Sequence, residues 1–273
     1  MSLAPQDQRF GFGENWSRFL ALVDERRIRE GERSLVEMLG RNRLDGMRFC
    51  DVGSGSGLFS LAARRLGATV LSFDYDSASV ACTAEMRRRF APNDPGWIIE
   101  QGSALDAAYL EGLGEFEIVY SWGVLHHTGA MWKAMELVSH LVAKRGVLYV
   151  ALYNDQGWQS RGWRLIKRAY NRLAPGLRCV VVAPALVGLW GGLALRDFLR
   201  LRPFATWRDY ASTRGMSPWH DLIDWVGGYP FEVARPDEVV RFYDRLGFAP
   251  QAFRRTAGLG CNEFVFARIG SRP

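Results

Sequence analysis

Apolar positions fall into two rhythms along this 273-residue chain: short runs with the character of buried strands, and longer stretches with helical spacing between them. Phe49, Val52 and the run Val70, Leu71, Phe73 read as parallel strands, and Leu58, Leu61, Ala62 and Leu66 as a helix packing back on them. The alternation predicts strands near 48–52, 69–74, 97–101, 116–121 and 146–153, with helices over 57–66, 77–90 and 130–143. Short connections and right-handed crossovers make this a doubly wound α/β sheet. Before it, Trp16, Phe19, Leu20 and Val23, then Leu35, Val36 and Leu39, predict N-terminal helix over 14–40, stopped by Gly40. After it, Pro236, Asp237 and Glu238 open a helix that Gly247 closes, and Phe248 to Thr256 with Cys261 to Ile269 read as an antiparallel pair.

Between Tyr153 and Arg235 the rhythm breaks. Trp158 to Leu173 is amphipathic, with Trp163, Ile166, Tyr170 and Leu173 on one face and Arg161, Arg164, Arg168 and Arg172 on the other. Seventeen uncharged residues follow, from Cys179 to Leu195, bracketed by Arg178 and Arg196. A membrane span needs about 20 residues, and Pro184 with three glycines weakens a straight helix here. Packing within an insertion or a dimer, a membrane-surface or lipid-tail site over 158–202, and a true span stay open. The expected organisation is N-terminal helices over 1–43, a core over 44–153, an inserted helical region over 154–234 and closing core elements over 235–273.

Charge sharpens this division. Between Gly157 and Arg208 ten Lys or Arg face one acid, Asp197, so a segment of net +9 sits in a chain of net +6 whose remainder is net −3. An apolar content of 48% is ample for a core. Cys50, Cys82, Cys179 and Cys261 are scattered and no His or Cys cluster has metal spacing, so the expectation is reduced packing cysteines and no metal. The first residues lack the charged and apolar regions of a secretory signal, which points to the cytoplasm.

The turn after the first strand carries the chemistry. Gly53, Gly55 and Gly57 permit a sharp turn and a close ligand approach, and Asp74 ends the next strand 21 positions after Gly53, where an acid can accept from ribose hydroxyls. Asp76 is the alternative, or only a helix cap before Ser77. A dinucleotide fingerprint needs its third glycine at position 58, which is Leu58, so a nicotinamide oxidoreductase is disfavoured.

The pattern Asp51-x-Gly-x-Gly-x-Gly with Asp74 resembles motifs I and II of class I S-adenosylmethionine-dependent methyltransferases. Trp97-Ile-Ile-Glu-Gln-Gly-Ser-Ala-Leu-Asp106 and Phe116-Glu-Ile-Val-Tyr-Ser-Trp-Gly-Val-Leu-His-His127 resemble the family's third and fourth strands. The flanks Phe10-Gly-Phe-Gly-Glu-Asn-Trp16 and Trp219-His-Asp-Leu-Ile-Asp-Trp-Val-Gly-Gly-Tyr-Pro-Phe231 are similar to a bacterial subgroup near the ubiquinone-pathway O-methyltransferases. The resemblance implies a Rossmann-like seven-stranded sheet with an antiparallel last strand, and S-adenosylmethionine as cofactor. It implies contacts from Gly53, Ser54, Gly55 and Gly57, ordering of the turn by Asp51, ribose binding by Asp74 and adenine stacking by Tyr75. Ser103 and Ala104 stand where many relatives have an adenine-reading Asp, a departure that weakens that contact, and Ser121 and Trp122 would wall the site. The N-terminal helices would cover the cofactor, with Trp16 as a flat wall.

His126 and His127 follow the fourth strand at its carboxyl end, where open α/β sheets place active sites. An imidazole titrating near ~6.5 can take the proton of an attacking hydroxyl. His127 is the favoured base, with His126 and His220 as further candidates. Trp16, Tyr153, Asn154, Trp219, Trp225 and Tyr229 are candidate substrate contacts. The expected reaction is methyl transfer to a hydroxyl of a small or lipid-like acceptor; nitrogen, carbon or sulfur as acceptor, and a non-catalytic membrane or assembly subunit, remain alternatives. Nucleic acid is disfavoured, because Ser121-Trp-Gly-Val stands where base-amino methylases carry Asn-Pro-Pro-Tyr. Oligomeric state is not readable from these patterns.

Overall fold

The computed structural model describes residues 10–208, 218–256, 258 and 260–269. The helical rhythm at the N-terminus gives two helices rather than one, α1 (Gly13–Leu20) and α2 (Glu25–Leu39). Asp24 separates them by capping α2, its side chain accepting from the Arg27 amide at 2.9 Å. The alternation that follows is β1 (Arg48–Val52), α3 (Leu58–Arg65), β2 (Thr69–Asp74), α4 (Ser77–Phe90), β3 (Trp97–Gln101), α5 (Ala107–Leu113), β4 (Phe116–Trp122), α6 (Met131–Ser139) and β5 (Val142–Tyr153). Next come α7 (Trp158–Arg172), α8 (Cys179–Leu199), α9 (Pro218–Gly227), α10 (Pro236–Arg245), β6 (Phe248–Arg254) and β7 (Cys261–Arg268).

The strands form a seven-stranded sheet in the order β3-β2-β1-β4-β5-β7-β6, parallel as far as β5 and antiparallel where β7 meets β5 and β6. This is the doubly wound sheet with an antiparallel last strand that the sequence predicts. One face buries Ile28, Leu35, Leu61, Met86, Phe49 and Tyr149 under α2, α3 and α4. The other buries Leu110, Met135, Val138, Val150, Phe264 and Tyr243 under α5, α6 and α10. The chain order reverses between β1 and β4, so the loops leaving those two strands lie side by side at their carboxyl ends.

Three expectations need correction. Helix 130–143 ends at Ser139, because Leu141 and Val142 join the sheet: the Phe116 amide donates to the Leu141 carbonyl at 2.7 Å, and Phe116 registers with Val142 before a bulge. The short α5 has no counterpart among the predicted elements; Asp106 caps it, but Leu110 alone is buried, too little apolar surface to leave a periodic signal. The stretch 179–195 is one unbroken helix, α8, despite Pro184. Its inward residues Val182 and Ala185 pack with Tyr170, Leu222 and Val226, and that burial offsets the lost backbone hydrogen bond.

Two compact units emerge. One comprises Gly11–Gln156 with Glu232–Pro273 and carries the sheet; the other comprises Gly157–Phe231 with the stretch ending at Phe10. In the second unit Lys167 is fully buried, donates to the Trp225 carbonyl, and lies 4.4 Å and 4.8 Å from the ring centres of Trp225 and Phe231. The Trp225 carbonyl and the two ring faces contribute to holding this buried cation.

Candidate active site

The glycine turn is built on a buried polar chain. Asp51, in β1, accepts from Ser60 at 2.5 Å; Ser60 meets Ser72 at 2.7 Å, and Ser72 accepts from the Trp97 indole at 2.7 Å. Burial pushes the Asp51 carboxyl up to about 7, against the Ser60 hydrogen bond that lowers it, with the Asp74 charge adding to the rise. Asp51 therefore ties β1 to α3 across the turn.

Above it Gly53 and Gly55 take left-handed conformations, with φ of 80° and 54°. Their amides are spoken for: Gly53 and Ser54 donate to the Phe73 carbonyl at 2.8 Å and 3.1 Å, and Gly55 donates to Asp74 Oδ2 at 3.0 Å. A Cβ on Gly53 would come within 2.4 Å of Val124, and one on Gly55 within 2.9 Å of the Trp16 indole. Ser54 pairs with Thr83 at 2.9 Å, Thr83 donates to the Gly55 carbonyl at 3.2 Å, and Gly57 caps α3.

Asp74 ends β2 with Oδ1 accepting the Asp76 amide at 2.9 Å and Oδ2 accepting that of Gly55. Burial pushes its carboxyl up to about 6, opposed by these two backbone hydrogen bonds. A carboxylate oxygen can accept twice, so the pair retains capacity for a diol. Asp76 is a helix cap, accepting from Ala78 at 2.9 Å, and it also accepts from Gly13 at 2.9 Å, tying α1 to α4.

The histidines stand beside this turn. Val124, packed on Gly53, accepts the His127 amide at 2.9 Å and so leads a one-turn 3-10 helix, Leu125–His127. His126 is fully buried; the Tyr153 amide donates to its Nδ1 at 3.4 Å, and the Tyr153 ring lies 3.9 Å from its own. His127 is half-buried, with the His126 ring at 4.5 Å and the Phe12 ring at 4.9 Å. Glu232 completes the floor, donating its amide to the His126 carbonyl at 3.0 Å and accepting from the Met131 amide at 3.0 Å.

The other predicted residues divide. Ser121 is buried and donates to the Val52 carbonyl at 3.1 Å; Ala104 is buried, and Ser103 accepts from the Leu105 amide at 3.2 Å. Tyr75 and Trp122 are exposed at the ends of their strands, the position from which rings can stack on a ligand. Asn154 serves structure: its amide donates to Gly260 at 3.0 Å and its side chain accepts from Asn262 at 3.0 Å. Trp219, Trp225 and Tyr229 belong to the second unit, where Trp219 is exposed, Trp225 packs edge-on against Trp163 and the Tyr229 carbonyl accepts from the Phe10 amide at 3.0 Å. The side chains of His220, Asp221 and Asp224 lie outside the described residues. Thr83, Phe12, Val124 and Glu232 were not singled out in the sequence; Thr83 sits mid-helix and Glu232 follows a loop, and neither position carries a local pattern.

The family model described as methyltransferase domain matches residues 23–221, most of the chain. The chain belongs to this methyltransferase family. The methyl donor of the family is S-adenosylmethionine, and the site fits it: bare left-handed glycines face a strand-end carboxylate that can still accept hydroxyls. Similar curated proteins include the ubiquinone biosynthesis O-methyltransferases of Caulobacter sp. (strain K31), 28% identical over 115 residues, and of Brucella ovis, 30% identical over 112 residues. These matches cover 42% and 41% of this chain and only 44% and 43% of the relatives. Among solved structures, magnesium protoporphyrin IX methyltransferase from Synechocystis PCC 6803 with bound SAH has a TM-score of 0.53 at 14% identity, covering 90% of this chain and 88% of that one. PKMT2 from Rickettsia typhi in complex with AdoHcy reaches 0.55 at 13% identity, covering 86% and 52%. At such identities the likeness is one of fold.

Proposed function

We propose that this protein transfers the methyl group of S-adenosylmethionine to a hydroxyl of a small or lipid-like acceptor, with His127 as general base. The observation that carries this reading is Val124, which packs on Gly53 and begins the turn bearing His127, so an imidazole is fixed beside the cofactor loop. The distant likeness to ubiquinone O-methyltransferases supports oxygen as the acceptor atom.

When bound, the cofactor supplies an electrophilic methyl group on a sulfonium. Asp74 would accept hydrogen bonds from the ribose hydroxyls, the backbone at Gly53 and Gly55 would admit the ligand, and Tyr75 and Trp122 would stack on it or wall it. Methyl transfer to the acceptor oxygen would release the hydroxyl proton, which His127 would take up. His126 and Tyr153 hold that ring, and Phe12 and Trp16 of the α1 segment shield the site from water. A lipid-like acceptor would reside in a bilayer, and the enzyme would reach it as a peripheral protein.

The thermal midpoint tests the donor. A ligand at about 100 times its dissociation constant stabilises the fold by about 2.7 kcal/mol. S-adenosylmethionine and S-adenosylhomocysteine are expected to raise the midpoint and NAD to leave it unchanged; labelled-methyl transfer to phenolic lipids then tests the acceptor. Absence of transfer to any hydroxyl, with transfer to an amine, would overturn the oxygen assignment.

A pH dependence follows from Asp74, whose carboxyl titrates at about 6 in the free protein. Ribose hydroxyls donate to the ionised form, so cofactor affinity should fall by up to about tenfold per pH unit below that value and level off above it. The free fold behaves oppositely. Asp51 and Asp74 hold protons at pH values where the unfolded chain has released them, so stability drops as pH rises from the ordinary carboxylate range through about 6 to about 7. Calorimetric titrations and melts across this window check both signs.

A further inference from the structure

We propose that α8 docks in the plane of an anionic phospholipid bilayer, its outer face in the acyl boundary and its flanking arginines on lipid phosphates. A 21-residue helix of a water-soluble surface is polar on the side turned from its core; α8 is not. Val182 and Ala185 face inward, into the small core with Tyr170, Leu222 and Val226. The outward positions are apolar too: Val180, Val187, Leu195, Phe198, Leu199 and the following Leu201 are between 60% and 90% exposed. A run of this kind, continuous over the length of the helix, marks an interaction surface.

Charge identifies the partner. Arg178, at one end of α8, lies 4.9 Å over the Tyr170 ring; at the other end Arg196 donates to Thr206 at 3.0 Å and stands 3.7 Å from Asp197, while Arg200 and Arg202 are exposed. The sole acid of residues 157–208, Asp197, is buried and accepts from the Thr206 amide at 2.6 Å and hydroxyl at 2.8 Å. A second copy laid on this face, parallel or antiparallel, would set arginine against arginine. Lipid phosphates match the exposed Arg200 and Arg202 beside the apolar face. A transmembrane posture fits less well, because the inner stripe is already packed and Asp197 would carry its charge and its Thr206 bonds into hydrocarbon. In the plane, only the bare face need leave water.

The inference deepens the proposed function, resting on it only for the purpose of reaching a lipid-like acceptor, and its test is independent of turnover. The full chain is sedimented with vesicles of phosphatidylcholine alone and of phosphatidylcholine with phosphatidylglycerol. Binding is expected with the anionic vesicles, weakening as salt rises, and at least about tenfold weaker for Val187→Glu/Leu195→Glu. Arg200→Glu/Arg202→Glu should remove the preference for phosphatidylglycerol. Both variants alter exposed side chains, and a melting transition like that of the parent shows that they fold. Wild-type protein that stays in the supernatant, binding unchanged in Val187→Glu/Leu195→Glu, or resistance to alkaline carbonate extraction would each overturn in-plane docking. A cofactor shift without vesicle binding would refute the docking alone; vesicle binding without transfer to a hydroxyl would refute the acceptor alone.

Discussion

Replacing Asp74 with alanine is expected to weaken S-adenosylmethionine binding by about 100-fold or more, since two hydrogen bonds to an ionised acceptor contribute roughly 1.5–3 kcal/mol each. The free protein should tolerate the change, and Asp74→Asn better still. Burial raises this carboxyl to about 6, so above that pH the fold carries a charge it would be more stable without. Asparagine keeps an oxygen for the Gly55 or Asp76 amide and removes the charge. At pH 8 the asparagine variant should therefore melt no lower than the parent while binding cofactor poorly. Calorimetry and a melt on the same samples decide the matter: unchanged affinity would remove the ribose role, and a lowered melting midpoint with unchanged affinity would make Asp74 a structural residue.

For His127→Ala the expected loss is in turnover, about 100- to 10,000-fold, the range a positioned general base contributes. Cofactor affinity should change little, because a general base acts on the acceptor hydroxyl, while the His127 ring packs on Phe12, His126 and Tyr153. His126→Ala should behave differently. His126 is fully buried against Tyr153, so its removal leaves a cavity that destabilises the fold as well as loosening His127. The discriminating readout is the pH profile of turnover. Wild-type rates should fall on the acid side as the base takes up a proton, and in His127→Ala that limb should vanish; equal turnover and an unchanged profile would sink the assignment.

What the sequence determined by itself is what local chemistry encodes. The inner strands β1, β2, β4 and β5 are legible because parallel strands buried on both faces are rich in apolar residues, and the glycine turn because only glycine takes φ of 54° to 80° with a Cβ excluded by Val124 and Trp16. The motif that carries the family lies within one strand–turn–helix–strand unit, so no long-range information was needed to read it.

Other features depend on which elements become neighbours. Leu141 and Val142 have helical spacing, yet pairing with β4 draws them into the sheet. Pro184 weakens a straight helix, yet α8 runs through it with Val182 and Ala185 packed inward. The approach of the loop after β4 to the glycine turn depends on the reversal of strand order between β1 and β4, which puts Val124 on Gly53 although 71 positions separate them. The two tandem histidines look alike in sequence, but the sheet buries His126 and leaves His127 half open. Burial likewise sets the carboxyls of Asp51 and Asp74, since desolvation depends on everything packed around a group and not on its neighbours along the chain.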